Sequence, residues 1–224
     1  MLPPLMDSIG HAIITTAVSD SPLAIVASGI NLRYDKEGLM RLHNTLPEAY
    51  DELALGVMSH MVTNQIVHNA RLLQEMRHGA RIVLRNNSIS DKLSHVAVEV
   101  AIDCLLLEEP EFSDVVKLNW GAFDWAAAKS YLPQFSRQPK RAELAISYVQ
   151  QRYHGFSIDH AAQWLFVVAG RLAGRTVTGL GTYRAAAVQL TDTLRGKGQY
   201  YQLIRETQVE LRNRIDRLAQ TDRQ

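Results

Sequence analysis

Glu75 and His78 stand three residues apart in Glu75-Met76-Arg77-His78. On a helix this spacing turns both side chains the same way, and di-iron helical bundles take their inward ligands from it. Such bundles need a second copy of the motif and two further carboxylates, and the chain holds no second Glu-x-x-His. His95, Glu99 and Asp103 recur at i, i+4 and i+8, so they fall on one helix face and are the natural completion of a ligand set. A metal-dependent helical-bundle enzyme built on Glu75, His78, His95 and Glu99 is therefore one reading of the chain. His60, Asn64 and His68 make a similar stripe. Eight residues of helix span roughly 12 Å, however, so His60 and His68 cannot share one ion, and the stripe reads as a polar edge. Capping and solvation account for most histidines and acids near helix ends. No metal site is assigned, and no cofactor is expected.

Nucleophilic chemistry finds little footing. There is no Gly-x-Ser-x-Gly and no His-Glu-x-x-His. The one cysteine, Cys104, follows Asp103 and precedes Leu105-Leu106-Leu107, where a thiol is expected to be buried, with a raised pKa and low reactivity. The stretch Gly174-Arg-Thr-Val-Thr-Gly-Leu-Gly-Thr182, with Arg184 beyond it, offers backbone N–H groups to an anion. It lacks the Gly-Lys-Ser/Thr of a P-loop and follows a helix, so a connection between helices is the expected role. The chain is read as a non-enzyme.

Two surfaces remain for binding. From Arg171 to Gln224 there are nine Arg and one Lys against five acids, a net of +5, while residues 1–170 carry a net of −4. Arg205, Arg212, Arg214 and Arg217 are the candidates for a nucleic-acid contact, although Glu206, Glu210 and Asp216 interrupt the stripe. The second surface lies at 99–124, where seven acids oppose Lys117. It combines Glu108, Glu109 and Glu111 with Trp120, Phe123 and Trp125, in a run that continues to Tyr131 and Phe135. Aromatic anchors beside a charged rim suit a protein interface, here for a basic partner.

The elements that must position these residues are helices. Pro47 to His78 reads as one long helix, with Thr45 as cap, Asp51 and Glu52 near its positive end, and Gly79 as its stop. Leu55, Met58, Val62, Gln65, Asn69, Leu72 and Met76 alternate at three and four, a heptad seam interrupted by two amides. Tyr201, Ile204, Gln208, Leu211, Ile215 and Leu218 repeat the rhythm in the last helix. The two seams are expected to pair within one bundle, with Gln65, Asn69 and Gln208 bonded inside it, in preference to a homodimer. Ser21-Pro22 opens a helix that stops at Gly29. Ile30 to Leu42 is a hairpin or a helix capped by Asp35, and Arg81 to Arg85 is a short extended candidate. Ser88 or Ser90 caps a helix to Glu109, Ser113 caps one that bends near Gly121, and Gln138-Pro139 opens the next. Ser157 caps Ile158 to Ala173, which is apolar nearly all round at Trp164–Ala169 and is expected to be central. Thr182 caps a helix ending near Leu194, with Gly196 and Gly198 beyond it.

With 224 residues, 46% of them hydrophobic, the chain can bury a sizeable core. It is expected to be one all-α domain over 1–224, bundle-like, of about eight helices, with a distinct subregion at 1–46 and one short strand or hairpin. Segments 134–140 and 174–182 are the best break points. A net charge of +1 argues for neither nucleic acid nor membrane, and no apolar run approaches a membrane span. No basic stretch precedes an apolar core near Met1, so no signal peptide is expected, and a single cysteine fits a reducing, cytoplasmic setting. The expected function is a protein-interaction module, a regulator, adaptor or inhibitor of another protein, present as monomer or homodimer.

Overall fold

The computed structural model describes residues 8–30, 51–136, 138–152, 157–173 and 179–221. Among these the chain forms eleven α-helices and no strand. They are α1 (Ser8–Thr15), α2 (Pro22–Gly29), α3 (Asp51–Asn69), α4 (Arg71–Asn86), α5 (Ser94–Glu108) and α6 (Pro110–Ala122). The remainder are α7 (Trp125–Tyr131), α8 (Pro139–Arg152), α9 (Ile158–Ala173), α10 (Leu180–Lys197) and α11 (Gln199–Thr221). Single 3-10 turns at Asp91–Leu93 and Leu132–Phe135 complete the described elements. The all-α bundle is as expected, with more and shorter helices. The candidate hairpin falls on 31–42, and the expected cap Thr45 and Pro47 also lie outside the described residues.

Local chemistry sets many of the boundaries. Ser21 accepts a hydrogen bond from the Leu23 N–H at 3.2 Å, and Pro22 is the first residue of α2. Asp124 accepts from the Ala127 N–H at 2.9 Å and starts α7. Gly198, at φ 62°, ends α10 in the left-handed conformation that glycine adopts without strain. Ser113 is a buried residue inside α6 and caps nothing, because Pro110 already opens that helix.

The long helix does not run unbroken. Ala70 is extended (φ −69°, ψ 131°) and separates α3 from α4. Gln74 Nε2 reaches back across the break to the His68 carbonyl at 3.0 Å, one of those left without a helical partner, while Asn69 Nδ2 donates to the Gln65 carbonyl at 2.7 Å within α3. Beyond the joint, α4 passes through Gly79, and the candidate strand Arg81–Arg85 is helical. Val83 and Leu84 are buried there while Arg81, Ile82 and Arg85 face outward, which is a helical and not an alternating pattern.

The seam reading is also corrected. Gln65 and Asn69 are exposed, and α3 buries Leu53, Gly56, Val57, His60, Thr63 and Val67 instead. Gln208 reaches neither amide; its Nε2 donates to the Ile13 carbonyl at 3.0 Å. α11 does pack on α3, but also on α1, α4 and α10. The core is organised on α5, which contacts α1, α4, α6, α9 and α10 and buries ten residues from Ser94 to Leu106. α9, expected to be central, buries Ala161, Ala162, Trp164, Leu165 and Ala169 while leaving Gln163 exposed. It lies against α10 and one side of α5.

One close approach depends on glycine. A Cβ on Gly56 would press into the Ala24 carbonyl oxygen and sit 2.8 Å from Ala27 Cβ, so α2 and α3 meet backbone to backbone. No described helix is long and apolar enough to cross a membrane.

Candidate functional site

The acidic and aromatic segment spans the α5–α6 corner and the α6–α7 elbow. Trp120 and Phe123 are 3% and 5% exposed, so both are core side chains and not contact anchors. The helical phase of α6 explains this. Val116, Asn119, Trp120 and then Phe123 turn inward, as Ser113 does one turn earlier. Trp125 is half-buried, with its ring edge-on to Phe123 at 4.7 Å.

The three glutamates brace the corner against α10 and α11. Glu108 accepts from Arg195 Nη2 at 2.5 Å, Glu109 from the Tyr200 hydroxyl at 3.2 Å, and Glu111 from the Tyr201 hydroxyl at 3.0 Å. Burial and the neighbouring Glu109 carboxylate push the Tyr200 phenol above its ordinary value. Phe112 packs against the Tyr201 ring at 5.7 Å. Part of the predicted docking patch is therefore an internal brace.

What α6 presents outward is a different stripe. Glu111, Asp114, Leu118, Gly121 and Ala122 are exposed, at the spacing of one helix face, and exposed Lys117 borders them with its Nζ 3.8 Å from Asp114. Leu118 is 73% exposed, the highest value for any large apolar side chain among the described residues. It had no signal in the sequence beyond this phase.

The arginines of α11 are bonded within the chain. Arg205 donates to the Tyr201 hydroxyl at 2.6 Å and covers that ring at 4.6 Å. Arg212 donates to the Ala17 carbonyl at 2.9 Å, Arg214 to Glu210 at 2.7 Å, and Arg217 to the Asn213 carbonyl at 3.1 Å. Arg214 holds the Glu210 carboxyl below its ordinary range. The four do not form an uninterrupted basic stripe. Arg184, near the glycine loop, is paired with Asp159 at 2.6 Å; residues 174–178 of that loop lie outside the described set.

The histidines separate into two groups. His60 is in the core, where its ring stacks on His11 at 4.5 Å. Its Nδ1 lies 2.7 Å from the Ser28 carbonyl and its Nε2 lies 2.8 Å from Asn64 Nδ2. A carbonyl only accepts, so Nδ1 donates to it, and Nε2 has the Asn64 amide as its partner: both ring nitrogens are used. The expected polar edge is thus a core network at this end. At the other end His68 stacks on His95 at 4.6 Å, with 12° between the rings, and His95 Nε2 lies 2.5 Å from Glu99 Oε1. Glu75, expected beside them, is taken by Arg71 at 2.7 Å, and His78 is exposed on α4. Asp103, third on the His95 stripe, is buried and accepts from the Gly10 N–H at 3.0 Å.

Cys104 is buried, and burial, reinforced by the charges of Asp103 and Glu108, pushes its thiol up to about 12. That leaves no thiolate nucleophile at neutral pH. No family model, curated protein or solved structure matches the chain.

Proposed function

We propose that this protein is a non-enzymatic interaction module, a regulator, adaptor or inhibitor that docks another protein on the outer face of α6. The observation that carries the proposal is Leu118, 73% exposed on a stripe that also holds Glu111 and Asp114. An exposed leucine flanked by two carboxylates, with Lys117 at the edge 3.8 Å from Asp114, suits a partner with an apolar pocket bordered by Lys or Arg. The contact replaces the predicted Trp120 and Phe123 anchors with Leu118, keeps Trp125 at the elbow, and uses Glu111 only through what its carboxylate leaves exposed beside its bond to the Tyr201 hydroxyl. The inert thiol of Cys104 and the fully engaged His60 ring support a binding role over a catalytic one. Nucleic-acid binding by Arg205, Arg212, Arg214 and Arg217 has less support, since Glu206, Glu210 and Asp216 interrupt the stripe and Arg214 is paired with Glu210.

The test is affinity capture with wild type, Leu118→Asp and Val188→Asp, each checked for unchanged helicity. Val188 is a second exposed apolar residue, on α10. A partner retained by wild type and Val188→Asp but lost with Leu118→Asp supports docking on α6. An identical set of captured proteins from all three removes it.

A further inference from the structure

Two imidazoles and a carboxylate converge beside the α3–α4 joint. His68 lies in the last turn of α3, and His95 and Glu99 lie one turn apart near the start of α5. One ligand atom from each residue falls within 4.8 Å of the other two. An i,i+4 ion pair on α5 accounts for His95 and Glu99 alone. It does not bring in His68, which arrives from another helix and stacks its ring on His95, a position it must leave for its nitrogen to face a shared ion.

We infer that His68, His95 and Glu99 bind one divalent transition-metal ion. Two imidazoles and a carboxylate suit zinc, cobalt or nickel, whereas magnesium and calcium take oxygen ligands throughout. Metal–ligand bonds of about 2.0–2.2 Å set neighbouring donor atoms roughly 3.3 Å apart around a tetrahedral ion. The cluster therefore has to contract by about 1.5 Å from its widest spacing, a movement that rotation of the exposed His68 side chain supplies. The His95 and Glu99 side chains, 25% and 12% exposed, give the ion a partly desolvated seat, and His68 is the side from which it enters. Three protein ligands leave a fourth position for water or another ligand. The bound ion ties the last turn of α3 to α5 across the break at Ala70. This site is separate from the α6 face and stands whether or not α6 docks a partner.

The experiment uses the full chain, stripped with a chelator and dialysed. It is titrated with zinc by calorimetry and with cobalt by visible absorption. The expected result is one ion per chain, with cobalt bands of four- or five-coordinate geometry. His68→Ala, His95→Ala and Glu99→Gln should each weaken zinc binding by about a hundredfold or more, beyond the roughly 10- to 100-fold that loss of an outer hydrogen bond to a ligand costs. His78→Ala, which alters an exposed histidine of α4, should bind as wild type does. Circular dichroism confirms folding, and His68→Ala carries the test by itself if a change on α5 unfolds the protein, because His68 is exposed. Failure to bind one equivalent, or wild-type affinity in His68→Ala, overturns the inference.

Discussion

The Gly10 N–H donates to the Asp103 carboxylate at 3.0 Å, inside the core, and so joins α1 to the central helix α5. Gly10 is in the first turn of α1, where backbone N–H groups have no partner within their own helix. A carboxylate at that end also meets the positive pole of the helix dipole. Asp103 is 1% exposed, so its charge is tolerable only because it is placed against such donors. Asp103→Ala should cost about 2 kcal/mol, the penalty for a buried N–H left unpaired. Asp103→Asn keeps an acceptor oxygen and should cost less than half as much. Urea unfolding of the two variants checks the order; equal losses would mean that the hydrogen bond is not what holds α1 in place.

Two glycines should respond to alanine with opposite signs. At Gly56 the new methyl meets the Ala24 carbonyl, a backbone atom that cannot move without separating α2 from α3. Gly56→Ala should therefore destabilise by about 1–3 kcal/mol, despite the better helix propensity of alanine. At Gly79, inside α4, a Cβ meets nothing within 4 Å. Gly79→Ala should stabilise by about 0.5–1 kcal/mol through the entropy of the unfolded chain. Thermal melts of the pair show whether the α2–α3 contact is as close as described.

Cys104 should resist modification until the protein unfolds. Its thiol is raised from 9.0 to about 12, chiefly by burial. The folded protein thus holds this proton more tightly than the unfolded chain does. The contribution to stability is fully present below pH 9.0 and falls as the pH rises toward 12. Iodoacetamide at pH 8 should leave the native thiol largely unreacted and should alkylate it readily in urea, as mass spectrometry would record. Fast native alkylation would mean that α5 opens far more often than a central helix should.

The sequence made some helix starts and stops legible where one residue does the work, while Gly79, Ser113 and Thr182, read the same way, mark none, since all three lie inside helices. Ser21-Pro22, Pro110, Gln138-Pro139 and Gly198 act through their own backbone restrictions or hydrogen bonds, and each marks a real boundary. The break at Ala70 carried no such mark. Alanine is the best helix former, and the side chain that bridges the joint is Gln74, reaching the His68 carbonyl. The buried face of α3 was hidden for a related reason. Its true inner stripe includes Gly56, His60 and Thr63, which hydropathy ranks below Leu55, Met58 and Val62. Gly56 is there for close approach, and His60 because the Ser28 carbonyl and Asn64 satisfy its ring. His95 and Glu99 were visible as an i,i+4 pair, but the arrival of His68 is a tertiary fact that no spacing encodes. Trp120 and Phe123 drew notice by type, while the inward phase of α6 decided their place and turned Leu118 outward.

Docking on α6 is tested most directly by a photo-activated crosslinking residue placed at position 118, with position 188 as the control. Irradiation in native host extract should join a distinct protein to position 118 and not to 188. Peptide mapping should locate the crosslink beside Lys or Arg on that partner, matching Glu111 and Asp114 on α6. No product above that seen from position 188, or a product made only of two copies of this chain, would contradict the account.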